Sequence, residues 1–396
     1  MTTPTLHLDW PAFLATYWQK RPVILRGAYA PFVDPITPDE LAGLAMEEEV
    51  DSRLVAHQNG KTWQVGHGPF DSYDHLGEQD WSLLVQAVDQ WHPQVAELMT
   101  PFRVLPNWRL DDLMISFSVP GGGVGPHQDQ YDVFIIQGMG TRRWRVGEKG
   151  ELERHCPHPN LLQVRPFEAI IDEVLQPGDI LYIPPGFPHE GYAITPALNY
   201  SVGFRAPGQR DLISGFADYL LAEESDDVRY SDPDLQTTSQ PGQISQDAVT
   251  KLRELMLQRL QGDDFAPWMA QQLSSSRHLD DVEPVEPPYT AEEVAGRLED
   301  GEEVLRTPGV RAFYLQAAPQ HSAGAQLFVH GESLPVPAGA EPLLAGLCDQ
   351  TTLAAELVDA TLDTPAWLAW LTDLVNRGYW LLEDDLQSVE EADDEA

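Results

Sequence analysis

Lysine is the scarcest charged residue in this chain, with four in 396 positions (Lys20, Lys61, Lys149, Lys251). Together with arginine it makes 24 cations against 63 Asp and Glu, a formal charge of −39 at pH 7. Nucleic acid and anionic membrane both bind clustered cations that neutralise phosphates, so this balance excludes DNA and membrane as ordinary partners. Cysteine is nearly missing too. Cys156 and Cys348 cannot build a disulfide framework and match no paired metal motif. No stretch approaches the roughly 18 uninterrupted apolar residues of a membrane span. The opening MTTPTLHLDW has neither the basic start nor the apolar run of a secretion leader. The expectation is a cytoplasmic protein in a reducing compartment. Enough remains to fold: 42% of residues are hydrophobic, with 11 Trp, 12 Tyr and 13 Phe, and the length suits two or three domains.

Hydrophobic periodicity divides the chain. LDWPAFLATYWQKRPVILRGA reads as a short helix over Phe13 to Gln19 running into a strand at Val23 to Leu25. Thr37 or Pro38 leads acidic residues into an apolar period, a helix start within 38–50. Trp81 to Met99 reads as a second helical region, interrupted by Pro93. From about 110 to 206 the period changes to two. There LMISFSV, YDVFIIQG, RRWRVG, AIIDEVL, GDILYIP and LNYSVGFRA are separated by Gly- and Pro-rich breaks, the pattern of an antiparallel barrel or jelly roll. Helical period returns between 210 and 276, with amphipathic segments at Asp211 to Glu224 and Asp247 to Leu260. SSSRHLDDVEPVEPP (274–288) reads as a linker. Helix-like segments at 341–348, 351–360 and 365–377, followed by strand-like YWLLE, resemble a winged helix. Residues 277–396 hold five Arg, no Lys and 25 acids, so packing or partner binding is expected of that unit rather than DNA reading. The closing DDLQSVEEADDEA is an acidic tail expected to be disordered.

Chemistry concentrates in the strand-rich region. His127 and Asp129 lie two apart, so on a strand both side chains leave the same face. An imidazole and a carboxylate placed that way, joined by one distant histidine, make a facial triad that leaves three positions open on an octahedral Fe(II). His189, in PPGFPHEGYA, is the natural third ligand. The His-x-acid pattern alone decides nothing, because the chain has four: His7/Asp9, His127/Asp129, His278/Asp280 and His330/Glu332. Only the His127 pair follows a glycine-rich turn, opens a strand and has a later histidine in a strand-turn context. The others read as surface or capping residues.

A cation is the next link. TRRWRV alternates, so Arg142, Trp144 and Val146 share one face, and the Trp–Val face is the inner one. An interior guanidinium needs an anion. A diacid cosubstrate offers a bidentate carboxylate, Asp132 or Asp172 would be structural partners, and Arg205 is a rival carboxylate binder. Ser116, on a strand face with Met114 and Ser118, could add a hydroxyl. RHCPHP, with His155, Cys156 and His158, is too tight for a tetrahedral zinc cage and reads as a loop with incidental histidines. Gly121, Gly122, Gly123 and Gly125 lead into a strand and lack the Lys-Ser/Thr of a phosphate loop. A flexible lip admitting a peptide backbone is the better reading.

FLATYWQKRPVILRGA, DDLMISFSVPGGGVGPHQDQYDVFIIQG, TRRWRVGEKG, PGDILYIPPGFPHEGYA and NYSVGFRAP together resemble the JmjC-type Fe(II)/2-oxoglutarate oxygenases, and among them the bacterial ribosomal oxygenases. The resemblance covers nearly the whole chain. It implies a mixed α and β fold: a double-stranded β-helix barrel of the cupin or jelly-roll kind in an oxygenase domain (1–208), a helical dimerisation region (209–276), a winged-helix-like domain (277–384) and the tail (385–396). It implies Fe(II) on His127, Asp129 and His189, 2-oxoglutarate held by Arg142 and Ser116, O2 as oxidant, and a homodimer. The implied substrate is a basic ribosomal protein of the large subunit, hydroxylated on an arginine side chain. Histidine-hydroxylating ribosomal oxygenases are kin, and JmjC-type demethylases use the same triad but release formaldehyde. Loss of a triad ligand would favour a catalytically idle dimeric adaptor, and all three are present.

The acidity has two explanations. Around a barrel mouth it would steer a basic substrate, yet the acids spread over every segment, so adaptation to a salty cytoplasm is the larger cause. Activity is then expected to tolerate molar salt, and sharp inhibition there would favour steering.

Overall fold

The computed structural model describes residues 5–58, 60–222, 228–279, 282–315 and 324–385. The chain falls into two compact units, Met1–Ala206 and Pro207–Ala396. No helix among the described residues is long and apolar enough to cross a membrane.

In the first unit an eight-stranded antiparallel sheet has the order Val23–Leu25, Ile180–Ile183, Val133–Gln137, Ala197–Phe204, Leu110–Ser118, Trp81–Val85, Ser52–Gln58, Thr62–His67. A four-stranded antiparallel sheet runs Ala169–Leu175, Arg142–Gly147, Pro188–Ala193, His127–Gln128. Their inner faces meet where Val133, Ile135, Leu181 and Ile183 of the first pack with Trp144, Val146 and Leu175 of the second. This is the expected barrel. The eight-stranded sheet is covered on its other face as well: Leu113, Ile115, Phe134, Tyr182, Tyr200 and Phe204 join Phe13 and Phe102 in a second core. Each such large apolar side chain contributes roughly 1.5–3 kcal/mol by leaving water.

The expected second helical region is corrected here. Trp81–Val85 is a strand, paired on one edge with Ser52–Gln58 and on the other with Leu110–Ser118. Trp81, Leu84, Val85 and Val88 imitate a helical stripe, but Ser82 through Val85 are all buried, and pairing on both edges overrides so short a periodicity. Helix resumes at Pro93–Ala96, so Pro93 opens a turn of helix rather than interrupting one. The first helix is Trp10–Thr16, earlier than Phe13 to Gln19, because Asp9 caps it by accepting the Ala12 N–H at 3.0 Å. Thr37 caps Pro38–Leu44 in a full capping box with Glu40, and that helix ends well short of 50.

The second unit opens with helices Gln209–Ala222, Gln246–Leu260 and Phe265–Ser274; the expected end at Glu224 lies outside the described residues. Helices Ala291–Glu299, Glu341–Asp349, Ala355–Leu362 and Pro365–Asn376 follow, and Trp380–Leu382 pairs antiparallel with Val304–Arg306. They bury their own core around Leu298, Leu343, Leu347, Leu371, Leu374 and Trp380. A three-stranded sheet, Ala312–Tyr314, Gln326–Val329 and Glu332–Pro335, adds what the helical periodicity did not announce. The acidic tail beyond Asp385 lies outside the described residues.

Candidate active site

Strand register assembles the site. His189 stands opposite Val146 on one neighbouring strand and His127 on the other. Cross-strand partners share a face, and Val146 is fully buried in the barrel, so both imidazoles point inward. Asp129 follows His127 by two residues. One donor atom from each of His127, Asp129 and His189 lies within 4.8 Å of the other two. His189 Nε2 is 3.4 Å from Asp129 Oδ2, and the imidazole centroids are 4.2 Å apart.

The backbone orients both rings. His127 Nδ1 lies 2.9 Å from the Gly125 carbonyl and His189 Nδ1 lies 3.1 Å from the Phe187 carbonyl. A carbonyl only accepts, so each Nδ1–H donates and each Nε2 keeps its lone pair for the site. Burial, helped by the second imidazole, pushes His127 down to about 4. For Asp129 burial works upward, but contact with His189 and the charges of His127 and Arg53 hold the carboxyl at about 2. Near neutral pH this donor set suits a divalent metal.

Acid should weaken the metal-free protein through this site. A free histidine takes its proton near 6.5, whereas folded His127 resists until about 4. The unfolded chain therefore binds more protons across that window, and this contribution to stability is lost as pH falls from about 6.5 to 4. Thermal melts of the metal-free protein check it: His127→Asn should flatten the slope by about one proton.

Arg142 enters the barrel beside Trp144 and Val146, as the alternation required. It is 4% exposed. Nη1 donates to Ser116 Oγ at 3.2 Å and to Asn199 Oδ1 at 3.0 Å, and Nη2 to the Gly191 carbonyl at 3.1 Å. Nε has no hydrogen-bond partner, and no described carboxylate pairs with this guanidinium. The structural partners expected from sequence are engaged elsewhere. Asp132 binds Arg109, Tyr182 and Gln19, and Asp172 binds Arg143 and Arg145 on the outer face. The rival, Arg205, pairs with Asp111 at 2.7 Å and is absent from the cavity wall. Arg142 is thus a buried cation on neutral acceptors, and burial lowers it to about 10.

The triad, Ser116 and Arg142 line one cavity of about 150 Å³, with Arg53, Asp112 and Tyr131 also in its wall. Sequence did not single out Asn199, although the alternation of LNYSVGF puts it, Ser201 and Gly203 on one face, and register sets it opposite Ser116. Arg53 lies on Ser52–Gln58, a strand that the hydrophobic period does not announce.

The glycine run is not a flexible lip. A Cβ on Gly122 would lie 2.0 Å from the Trp81 carbonyl oxygen, and one on Gly123 2.3 Å from that of Gly191. The Gly121 N–H donates to the Ala193 carbonyl at 2.8 Å, and the Ala193 N–H to that of Gly122 at 3.0 Å. Close approach, not mobility, requires glycine. RHCPHP is likewise no loop: Arg154–His158 pairs with Leu161–Val164, and His155, Cys156 and His158 form no metal-sized group. That hairpin grips the segment before His127. Gln163 Nε2 donates to the Val124 carbonyl at 2.8 Å, and the Val164 N–H to that of Pro126 at 2.8 Å. Of the other His-x-acid pairs, Asp9 is a helix cap, Glu332 pairs with Arg377, and Asp280 lies outside the described residues.

Comparison with known proteins agrees with this geometry. Residues 97–212 match the JmjC domain family and residues 253–381 the ROXA-like winged helix. The chain is 58% identical over 379 residues to the ribosomal protein uL16 3-hydroxylase of Escherichia coli K12, covering 96% of this chain and 99% of that one. It is 34% identical over 287 residues to a probable ribosomal oxygenase of Haemophilus influenzae, covering 69% and 70%. The X-ray structure of E. coli ycfD has a TM-score of 0.89 at 57% identity, covering 96% of this chain and all of that one. A structure of the E. coli ribosomal oxygenase YcfD with cobalt and 2-oxoglutarate has a TM-score of 0.85 at 55% identity, covering 96% and 99%. With the relative from E. coli matched from end to end, and a barrel that carries a His-Asp-His cluster beside a buried arginine, the chain belongs to the JmjC-domain ribosomal oxygenases.

Proposed function

We propose that the chain is an Fe(II)/2-oxoglutarate-dependent protein hydroxylase acting on an arginine side chain of the large-subunit ribosomal protein uL16. The observation that carries this reading is a buried cation without an anion. Arg142 rests on neutral acceptors with one nitrogen unpartnered, in the same cavity as the triad.

Two imidazole nitrogens and one carboxylate suit Fe(II), and an unpaired guanidinium beside a hydroxyl suits a cosubstrate carboxylate. Bound iron supplies a centre with open positions at which cosubstrate and O2 meet. The chain's own residues do the rest. The Gly125 and Phe187 carbonyls aim the two Nε2 atoms, and Asp129 offsets one unit of metal charge. Arg142 and Ser116 take the far carboxylate of 2-oxoglutarate, and Asn199 holds Arg142 in place for it. Val133 and Ile135 in the wall limit water around the reacting groups. The uL16 substrate is supported by the name of the E. coli relative.

Incubation with Fe(II), 2-oxoglutarate and uL16 should give a +16 mass shift on an arginine. The same shift on a histidine would favour the histidine-hydroxylating kin, and formaldehyde from a methylated peptide the demethylase. Cosubstrate turnover that uL16 never accelerates would overturn the proposal. We also infer a homodimer built on the helical region, since Ile213, Leu252, Met256 and Leu257 are exposed there and a second copy would cover them. A ribosomal-protein client puts the reaction in the cytoplasm.

A further inference from the structure

Arg142 is not alone among the cavity cations in having no carboxylate at ion-pair distance. Arg53 lines the same cavity, its Nε is buried without a hydrogen-bond partner, and it forms no ion pair among the described residues. Elsewhere in this unit Arg109, Arg143, Arg145 and Arg205 all hold carboxylates. What sets Arg53 apart is its place: an unpartnered buried nitrogen in the wall of the cavity that holds the triad.

Register says where it stands. Gln137, Asn199, Ser116, Leu84, Arg53 and His67 are successive cross-strand partners, one row across the inner face of the large sheet. Gln137 through Leu84 are buried, Arg53 is half-buried and His67 is exposed. The Ser116–Arg142 end is therefore the closed end. Arg53 lies two strands from Ser116, about 10 Å at ordinary strand spacing, on the side where the row meets solvent. Tyr131, 43% exposed, shares that wall. Arg53 and Tyr131 are thus partly exposed members of the wall that also holds the triad.

We propose that Arg53 is a specificity residue for the polypeptide substrate, its guanidinium donating to a backbone carbonyl of the segment that flanks the hydroxylated residue. This deepens the hydroxylase reading and rests on it. A cation at the mouth repels a basic client unless it meets an oxygen acceptor, and every substrate segment carries carbonyls. The planar fork of five donors fits such an acceptor while the target side chain continues inward.

The test uses the full-length chain with Arg53→Met and Arg53→Lys. A fluorescein-labelled uL16 peptide centred on the hydroxylated arginine reports binding by anisotropy, and turnover gives separate KM values for peptide and 2-oxoglutarate. Loss of a charge-assisted hydrogen bond should weaken peptide binding and raise peptide KM about 10- to 100-fold in Arg53→Met, with an intermediate effect in Arg53→Lys. Half-saturation by 2-oxoglutarate should not move. An unchanged peptide affinity overturns the proposal. So does a matching rise for 2-oxoglutarate, which would put Arg53 on the cosubstrate. Circular dichroism melts confirm folding, and Arg53→Lys decides if the methionine variant does not fold. A wild type that neither binds nor hydroxylates the peptide ends the hydroxylase reading and this inference together. A wild type that does both, beside an indifferent Arg53→Met, ends this inference alone.

Discussion

Arg142→Met should lose 2-oxoglutarate binding by a factor of about 100 to 1,000 while melting close to the wild type when no cosubstrate is present. Two costs oppose each other in the ligand-free variant. The desolvated cation is gone, which helps. Ser116, Asn199 and the Gly191 carbonyl each lose a donor, which hurts. With cosubstrate the balance breaks, because a buried carboxylate facing no cation is the costly half of a broken pair. Thermal shift in Mn(II) with rising 2-oxoglutarate reads this directly: the wild-type midpoint climbs with ligand and the variant's stays flat. Arg142→Lys should recover only part of the shift, since one ammonium cannot hold Ser116, Asn199 and a carboxylate together. A methionine variant that keeps the full shift would remove Arg142 from the cosubstrate site.

Asp129→Ala should reduce metal affinity on the order of a thousandfold or more and bring uL16 hydroxylation to background. It removes the one anion of the triad and leaves two imidazoles facing a divalent charge. His127 and His189 keep their carbonyl partners, 2.9 and 3.1 Å away, so the defect belongs to ligation rather than to ring orientation. Metal titration by calorimetry, followed by mass spectrometry of uL16, checks both parts. An active, iron-replete Asp129→Ala would sink the triad. In the wild type, chelation should abolish activity and added Fe(II) restore it.

How much of this was legible in the sequence depends on whether the determinant was local. The same-face placement of His127 and Asp129 and the inward side of Arg142 could be read because strand alternation is a two-residue rule, and Trp144 and Val146 marked which face of 141–146 is inside; His189 and Ser116 rested on their strand contexts and on the family resemblance. That Asp132 was already committed to Arg109 and Tyr182 could not be read, since those partners lie 23 and 50 residues away. Asn199 and Arg53 stayed hidden for the same reason: pairing across several strands, not spacing along one, brings Asn199 against Arg142 and Arg53 into the cavity wall. Trp81–Val85 failed differently. A strand buried on both faces loses its alternation, and five residues are too few to tell it from a helical stripe. The glycine run misled by composition, because glycine signals either freedom or close approach, and here Trp81 and Gly191 settle it as the second.

The first metal ligand rides on a strand of two residues, His127–Gln128, at the edge of its sheet and paired there only with Pro188–Ala193. The segment just before it is gripped by the hairpin that presents Gln163 and Val164. Such a segment frays at a free energy well below that of global unfolding. The residence time of the ion is therefore a different quantity from its affinity. Affinity belongs to three donor atoms, whereas residence belongs to how often one short edge peels away. Loosening the Gln163 grip would speed metal exchange in an otherwise folded barrel and leave the coordinating atoms untouched.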